Sequence, residues 1–234
     1  VPAILTIKYF GFDGFSPEKI MEWSRATQDD FFHNIVGDET KLVAAQKAGQ
    51  EMQAMLVKLV DNKFSNVAQL AQLPRNEQTI LDRMVISIGD INANMTSDEL
   101  IDKAKGKVYL NKSDDEVLSK LEPKELVSRI KARVRTNIIG TLVGGIETTQ
   151  AAITQTLSLI LTNKDLTREA QKLSASAKIP SQDQRQNQQK FNNLVWEVLR
   201  FHPVNPVVFR YVEKDTEIGG VQMKAKSHII IATQ

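Results

Sequence analysis

A mainly α-helical fold with a small β element is what this sequence predicts, and three observations predict it. Apolar residues recur close to every 3.6 positions through residues 17–88. Residues 123–163 read as one long central helix. After Pro206 the pattern changes to short strand-like runs around a Gly219-Gly220 turn. The composition, 41% hydrophobic and 25% charged in 234 residues, suits a globular chain and excludes collagen-like, low-complexity and wholly disordered polymers.

The first helix starts at Ser16-Pro17-Glu18, an N-cap followed by a proline at the first helical position and an acid in the first turn. It carries Ile20, Trp23, Ala26 and Phe31 and meets a stop at Gly37. A second helix fits 39–61, with Leu42, Ala45, Ala48, Met52, Met55, Leu56 and Leu59 on one side. A third fits 76–88 through Ile80, Leu81, Met84 and Val85. Ser97-Asp98-Glu99 can start a further helix, and 107–110 can form a short strand. The Ser-, Gln- and Asn-rich tract 174–189 contains Pro180 and reads as a surface loop between helices. Residues 216–218, 221–223 and 228–231 read as strands of one small sheet.

Several chemistries are excluded. With no cysteine there is no disulfide scaffold, thiolate metal site or thiol nucleophile. His33, His202 and His228 are far apart and form no metal-ligand motif. There is no phosphate-binding glycine loop, dinucleotide fingerprint or hydrolase elbow. A net charge of +2 predicts neither a nucleic-acid partner nor adhesion to an acidic membrane.

The long helix has an unusual centre. Between 137 and 161 Glu147 is the single charged residue, so the segment could span a bilayer by length, but its carboxylate, glutamines and threonines favour a buried central helix of a water-soluble fold. Gly140, Gly144 and Gly145 each cost about 1 kcal/mol relative to alanine in a helix interior. Glu147-Thr148-Thr149 follows at once. Close helix packing is one explanation. The other is a flat groove where a large planar ligand touches the backbone, beside an acid and a hydroxyl able to pass protons.

A second constellation lies in 191–203. Glu197 and Arg200 are spaced i,i+3 with the acid first, the favourable order on a helix face. Phe191, Leu194, Val195, Val198 and Leu199 surround the pair with apolar residues, which predicts a shielded pair needing a third partner. Pro203 and Pro206 end the helix and lead to Arg210 in an apolar context.

In this order and spacing the two constellations resemble the cytochrome P-450 family of haem-thiolate monooxygenases. Gly144-Gly145-Ile146-Glu147-Thr148-Thr149 resembles the family's I-helix motif, and Glu197-Val198-Leu199-Arg200 with Phe201-His202-Pro203 resembles its K-helix E-x-x-R. Arg210, Glu213-Lys214-Asp215 and Ile218-Gly219-Gly220-Val221 resemble the arginine and sheet after that helix. Residues 1–11 with Trp23-Ser24 are similar to the E-helix region of bacterial, soluble members.

The resemblance implies a partial cytochrome P-450 fold with a long central I-type helix. It makes 1–234 the middle of a single domain, without the preceding helices and the C-terminal haem-ligand loop. It implies a haem cofactor, with Thr148 hydrogen-bonding dioxygen and Glu147 relaying protons as catalytic residues. Gly144 and Gly145 would border the haem, Arg210 would pair with a propionate, and Glu197 and Arg200 would be structural. The family's iron ligand is a cysteine, which this chain lacks, so no metal ligand is assigned, His202 included, and the chain by itself is expected to be inactive. The implied partners are a small hydrophobic organic substrate and a ferredoxin- or flavodoxin-type electron donor. With no leader or membrane segment seen, the expected location is cytoplasmic. The alternatives are a catalytically dead P-450-like binding or scaffold protein, and an unrelated helical bundle.

Overall fold

The computed structural model describes residues 2–34, 37–108, 117–177 and 184–232. Its chain divides into two compact units, 1–147 and 148–234.

The N-terminal unit opens with α1 (Pro2–Thr6), which continues as a π-helical turn at Ile7–Gly11. Helix α2 (Pro17–His33) starts where the sequence predicts, because the Ser16 side chain accepts the Lys19 N–H. It ends before Gly37, since Asn34 turns the chain by donating to the Asp30 carboxylate at 2.7 Å and the Asp38 carbonyl at 2.9 Å. Phe31, expected on the inner side, is 79% exposed. Helix α3 (Glu39–Ser65) runs beyond the predicted end at Asp61, because Lys63 and Phe64 are buried. Its first turns face solvent, leaving Leu42 outside the core formed by Met52, Leu56 and Val60, and Met55 lies on the exposed side of the later turns.

A short α4 (Val67–Leu70) leads to α5 (Ile80–Ile88). The predicted start at Asn76 is replaced by Thr79, which forms a reciprocal capping box with Asp82. That box fixes a neighbour: Gly11 has φ +89°, and a Cβ there would overlap the Thr79 hydroxyl. Helix α6 (Ser97–Ala104) starts at the predicted place with a second capping box, Thr96 with Glu99. Of the strand expected at 107–110, Lys107 and Val108 form a turn, while Tyr109 and Leu110 lie outside the described residues.

Helix α7 (Pro123–Thr162) is the long central helix, 40 residues in one piece. Leu126, Ile130, Val134, Ile138, Leu142 and Ile146 are all buried, one every fourth residue, along the i±4 ridge that helices use to pack at an angle. They join Phe12, Ile20, Trp23, Met52, Leu56, Leu81, Val85 and Leu100 in one core. Each such side chain contributes about 1.5–3 kcal/mol of burial. Lys63 crosses this unit, 2.6 Å from Asp13 and 2.8 Å from Asp82.

The C-terminal unit begins with the last turns of α7, where Thr156 and Ile160 are buried and Ile153, Leu157 and Leu161 are exposed. Helices α8 (Lys164–Ala177) and α9 (Gln184–Phe201) pack on each other. Both extend into the tract predicted as a loop, of which 178–183 lie outside the described residues. Strand β1 (Val207–Tyr211) pairs antiparallel with β4 (His228–Ala232), and β2 (Thr216–Ile218) pairs with β3 (Val221–Met223). The expected single sheet is therefore two separate ladders. Gly219 and Gly220 have φ of +59° and +82°, which suits the tight turn between β2 and β3. Among the described residues no helix is long and apolar enough to cross a membrane.

Candidate active site

Gly144, Gly145, Glu147 and Thr148 all lie on α7, the glycines and the acid in the N-terminal unit and Thr148 at the start of the next. The buried stripe ending at Ile146 anchors this turn from one side. Glu147 follows with its side chain 23% exposed. Its Oε1 is buried and accepts no hydrogen bond. The Arg25 Nε of α2 stands 3.8 Å away, within ion-pair reach but beyond hydrogen-bond length. One turn further along α2, the Gln28 side-chain amide donates to the main-chain carbonyl of Val143.

A Cβ built on Gly140, Gly144 or Gly145 meets no atom within 4 Å. Close packing of another helix therefore does not account for these glycines among the described residues. Among the described residues the helix face beside them is open.

The expectation of a shielded Glu197–Arg200 pair is corrected by the structure. The side chains are 57% and 61% exposed, because α9 buries Val198 and leaves Trp196 and Phe201 outside. The pair itself forms: Arg200 Nε and Nη2 donate to the two Glu197 oxygens at 2.9 and 2.8 Å, a bidentate geometry. Arg200's hydrogen bond holds the Glu197 carboxyl below its usual range, and Glu197 raises the guanidinium in return. Arg200 also covers the Phe201 ring, 3.9 Å from its centroid. Arg210 lies on β1 opposite Ile229 and is exposed.

The structure thus places Glu147 and Thr148 side by side along α7 and joins Glu197 to Arg200. Thr148, Glu197, Arg200 and Arg210 belong to the C-terminal unit. Sequence reasoning missed Arg25 and Gln28. One signal was available for Gln28: Ile20, Ser24 and Gln28 share a four-residue spacing, and all three are buried. A groove of about 650 Å³ beside Asp13, Phe15, Met55, Lys58 and Lys63 holds none of the predicted site residues.

The residues present fit one side of a flat cofactor. Among the described residues an open glycine face adjoins a carboxylate whose buried oxygen accepts no hydrogen bond. A thiolate ligand for iron is not among the 234 residues, and no group of three His, Cys, Asp or Glu that could hold a metal ion occurs among the described ones.

The family model for cytochrome P450 matches residues 36–234, and the chain belongs to that family. The match begins after α1 and α2, so Arg25 and Gln28 lie before it. No curated protein sequence matches the chain.

Proposed function

We propose that this chain is part of a cytochrome P450 monooxygenase that inserts one oxygen atom of O2 into a small hydrophobic organic substrate. The carrying observation is the space beside Gly144 and Gly145 next to the buried oxygen of Glu147, which accepts no hydrogen bond among the described residues. In this reading 1–234 is the middle of one such domain, working in the cytoplasm.

A bound haem would supply the iron at which dioxygen is activated. Gly144 and Gly145 would border the haem, since neither carries a Cβ. Arg210 is assigned to a propionate, where a guanidinium donates two parallel hydrogen bonds. Glu147 holds a proton-accepting oxygen at the edge of the open face and passes protons toward it. Thr148, the next residue, offers a hydroxyl that both donates and accepts. Glu197 and Arg200 brace α9 through their bidentate pair. Electrons come from a ferredoxin- or flavodoxin-type donor.

The test is made on the full-length protein. Its reduced carbon monoxide difference spectrum is expected to carry the thiolate signature. Thr148→Ala is then expected to lower product formed per electron by about tenfold, with the balance released as hydrogen peroxide, as loss of a positioned proton donor costs 10²–10⁴ in rate at most. Unchanged coupling in that variant would refute the role given to Thr148.

A further inference from the structure

We infer that Gln28 is a positioning residue for Glu147, acting through the main chain of α7. This deepens the proposed function and rests on the proton-relay role given there to Glu147. In an α-helix the carbonyl of residue 143 accepts the N–H of residue 147. The Gln28 amide donates to that same Val143 carbonyl, which has a second lone pair to receive it. The acceptor that orders Glu147's own backbone is therefore anchored from outside the helix.

The placement makes the anchor effective. Gly144 and Gly145 occupy the turn between Val143 and Glu147 and are the residues least able to stiffen a helix. In the described surroundings a Cβ on either would meet nothing within 4 Å. Gln28, by contrast, is 7% exposed and projects from α2, a helix rooted in the core through Ile20 and Trp23. A rigid helix thus holds a soft turn at its first carbonyl. Arg25, on the preceding turn of α2, faces the Glu147 carboxylate at 3.8 Å. The main chain and the side chain of the acid are both referred to α2.

The experiment compares Gln28→Met, which keeps the length and loses the donor, with Gln28→His, whose ring N–H can occupy the place of the amide. Both are made in the full-length protein. The first readout is amide hydrogen exchange over residues 144–148, which requires no turnover. Gln28→Met is expected to speed it about fivefold, the equivalent of one net hydrogen bond, and Gln28→His to return it toward wild type. The second readout is product formed per electron, expected to fall in Gln28→Met with the substrate KM unchanged and to recover in Gln28→His. Exchange and coupling that are equal in the two variants, whether both normal or both lost, overturn the inference. A wild-type protein without the thiolate signature would remove the proposed function while leaving the exchange result to decide whether Gln28 holds the turn.

Discussion

The two units bury their apolar residues very differently. In the N-terminal unit every major helix contributes to one core, and α7 alone sends six side chains into it from Leu126 to Ile146. In the C-terminal unit burial is sparse: Ile160, Ala170, Leu173, Val198 and Val212 are covered, while Leu157, Leu161, Trp196 and Phe201 are 50–69% exposed. The change falls within a single helix. It shows that helix formation and core formation are separate matters: α7 is equally helical on both sides of Glu147, yet its neighbours enclose it on one side only. Burial in the first unit is collective, and the second shows short-range contacts such as Thr167 Oγ1 donating to the Ile160 carbonyl at 2.7 Å.

The sharpest way to break this contrast is a pair of truncations on the same helix. Leu126→Ala is expected to cost about 3 kcal/mol, because Leu126 is fully buried and its removal leaves a cavity. Leu157→Ala, at a residue 50% exposed, is expected to change stability by less than about 0.5 kcal/mol. Urea unfolding of both variants checks this, and equal losses would erase the distinction.

Next comes the ion cluster of the first unit. Burial pushes the Asp82 carboxyl up, but hydrogen bonds from Lys63 and Thr79 outweigh it and hold the group below its usual range. For Lys63 burial pulls the ammonium down, and Asp13 and Asp82 more than restore it, so it ends above its ordinary value. Asp82→Asn is expected to cost about 2 kcal/mol, less than a fully orphaned buried charge because Asp13 remains. The sign with pH follows. Asp82's contribution is complete above the unfolded aspartate value of about 3.9 and is lost as pH falls through the lower folded value. Lys63's contribution is present below about 10.4 and is lost as pH rises through its higher folded value. Midpoints measured from pH 6 down to pH 2 should fall steeply in the wild type and less in Asp82→Asn. The smallest effect belongs to the second unit: Glu197→Gln should leave the unfolding midpoint unmoved within error, since both partners face solvent, and a clear drop would show the pair to be structural in this unit.

Much of the fold was legible because local signals were strong. Ser16 before Pro17 fixes the start of α2, Ser97 with two acids marks α6, and the uninterrupted stretch after Pro123 can only be a long helix. Termini governed by side chains elsewhere were not legible: nothing near Asn76 announces that Thr79 and Asp82 cap each other, and the polar Asp61-Asn62 conceals that Lys63 goes on into the core. The candidate site was visible where it broke helix propensity, at Gly144, Gly145 and Glu147. It was invisible where ordinary polar residues meet it from a distant helix, as Arg25 and Gln28 do. The exposure of Glu197 and Arg200 was misread because an apolar run records what a helix could bury, not what arrives to cover it.

The vacant flank of α7 has a consequence for evolution under selection for stability. Nothing in the described surroundings would resist a methyl group at position 145, and alanine there would strengthen the helix by about 1 kcal/mol. A protein free to improve its melting temperature could take that step with one substitution. That Gly145→Ala should melt higher, as calorimetry would show, means the bare backbone at this point answers to a demand other than staying folded.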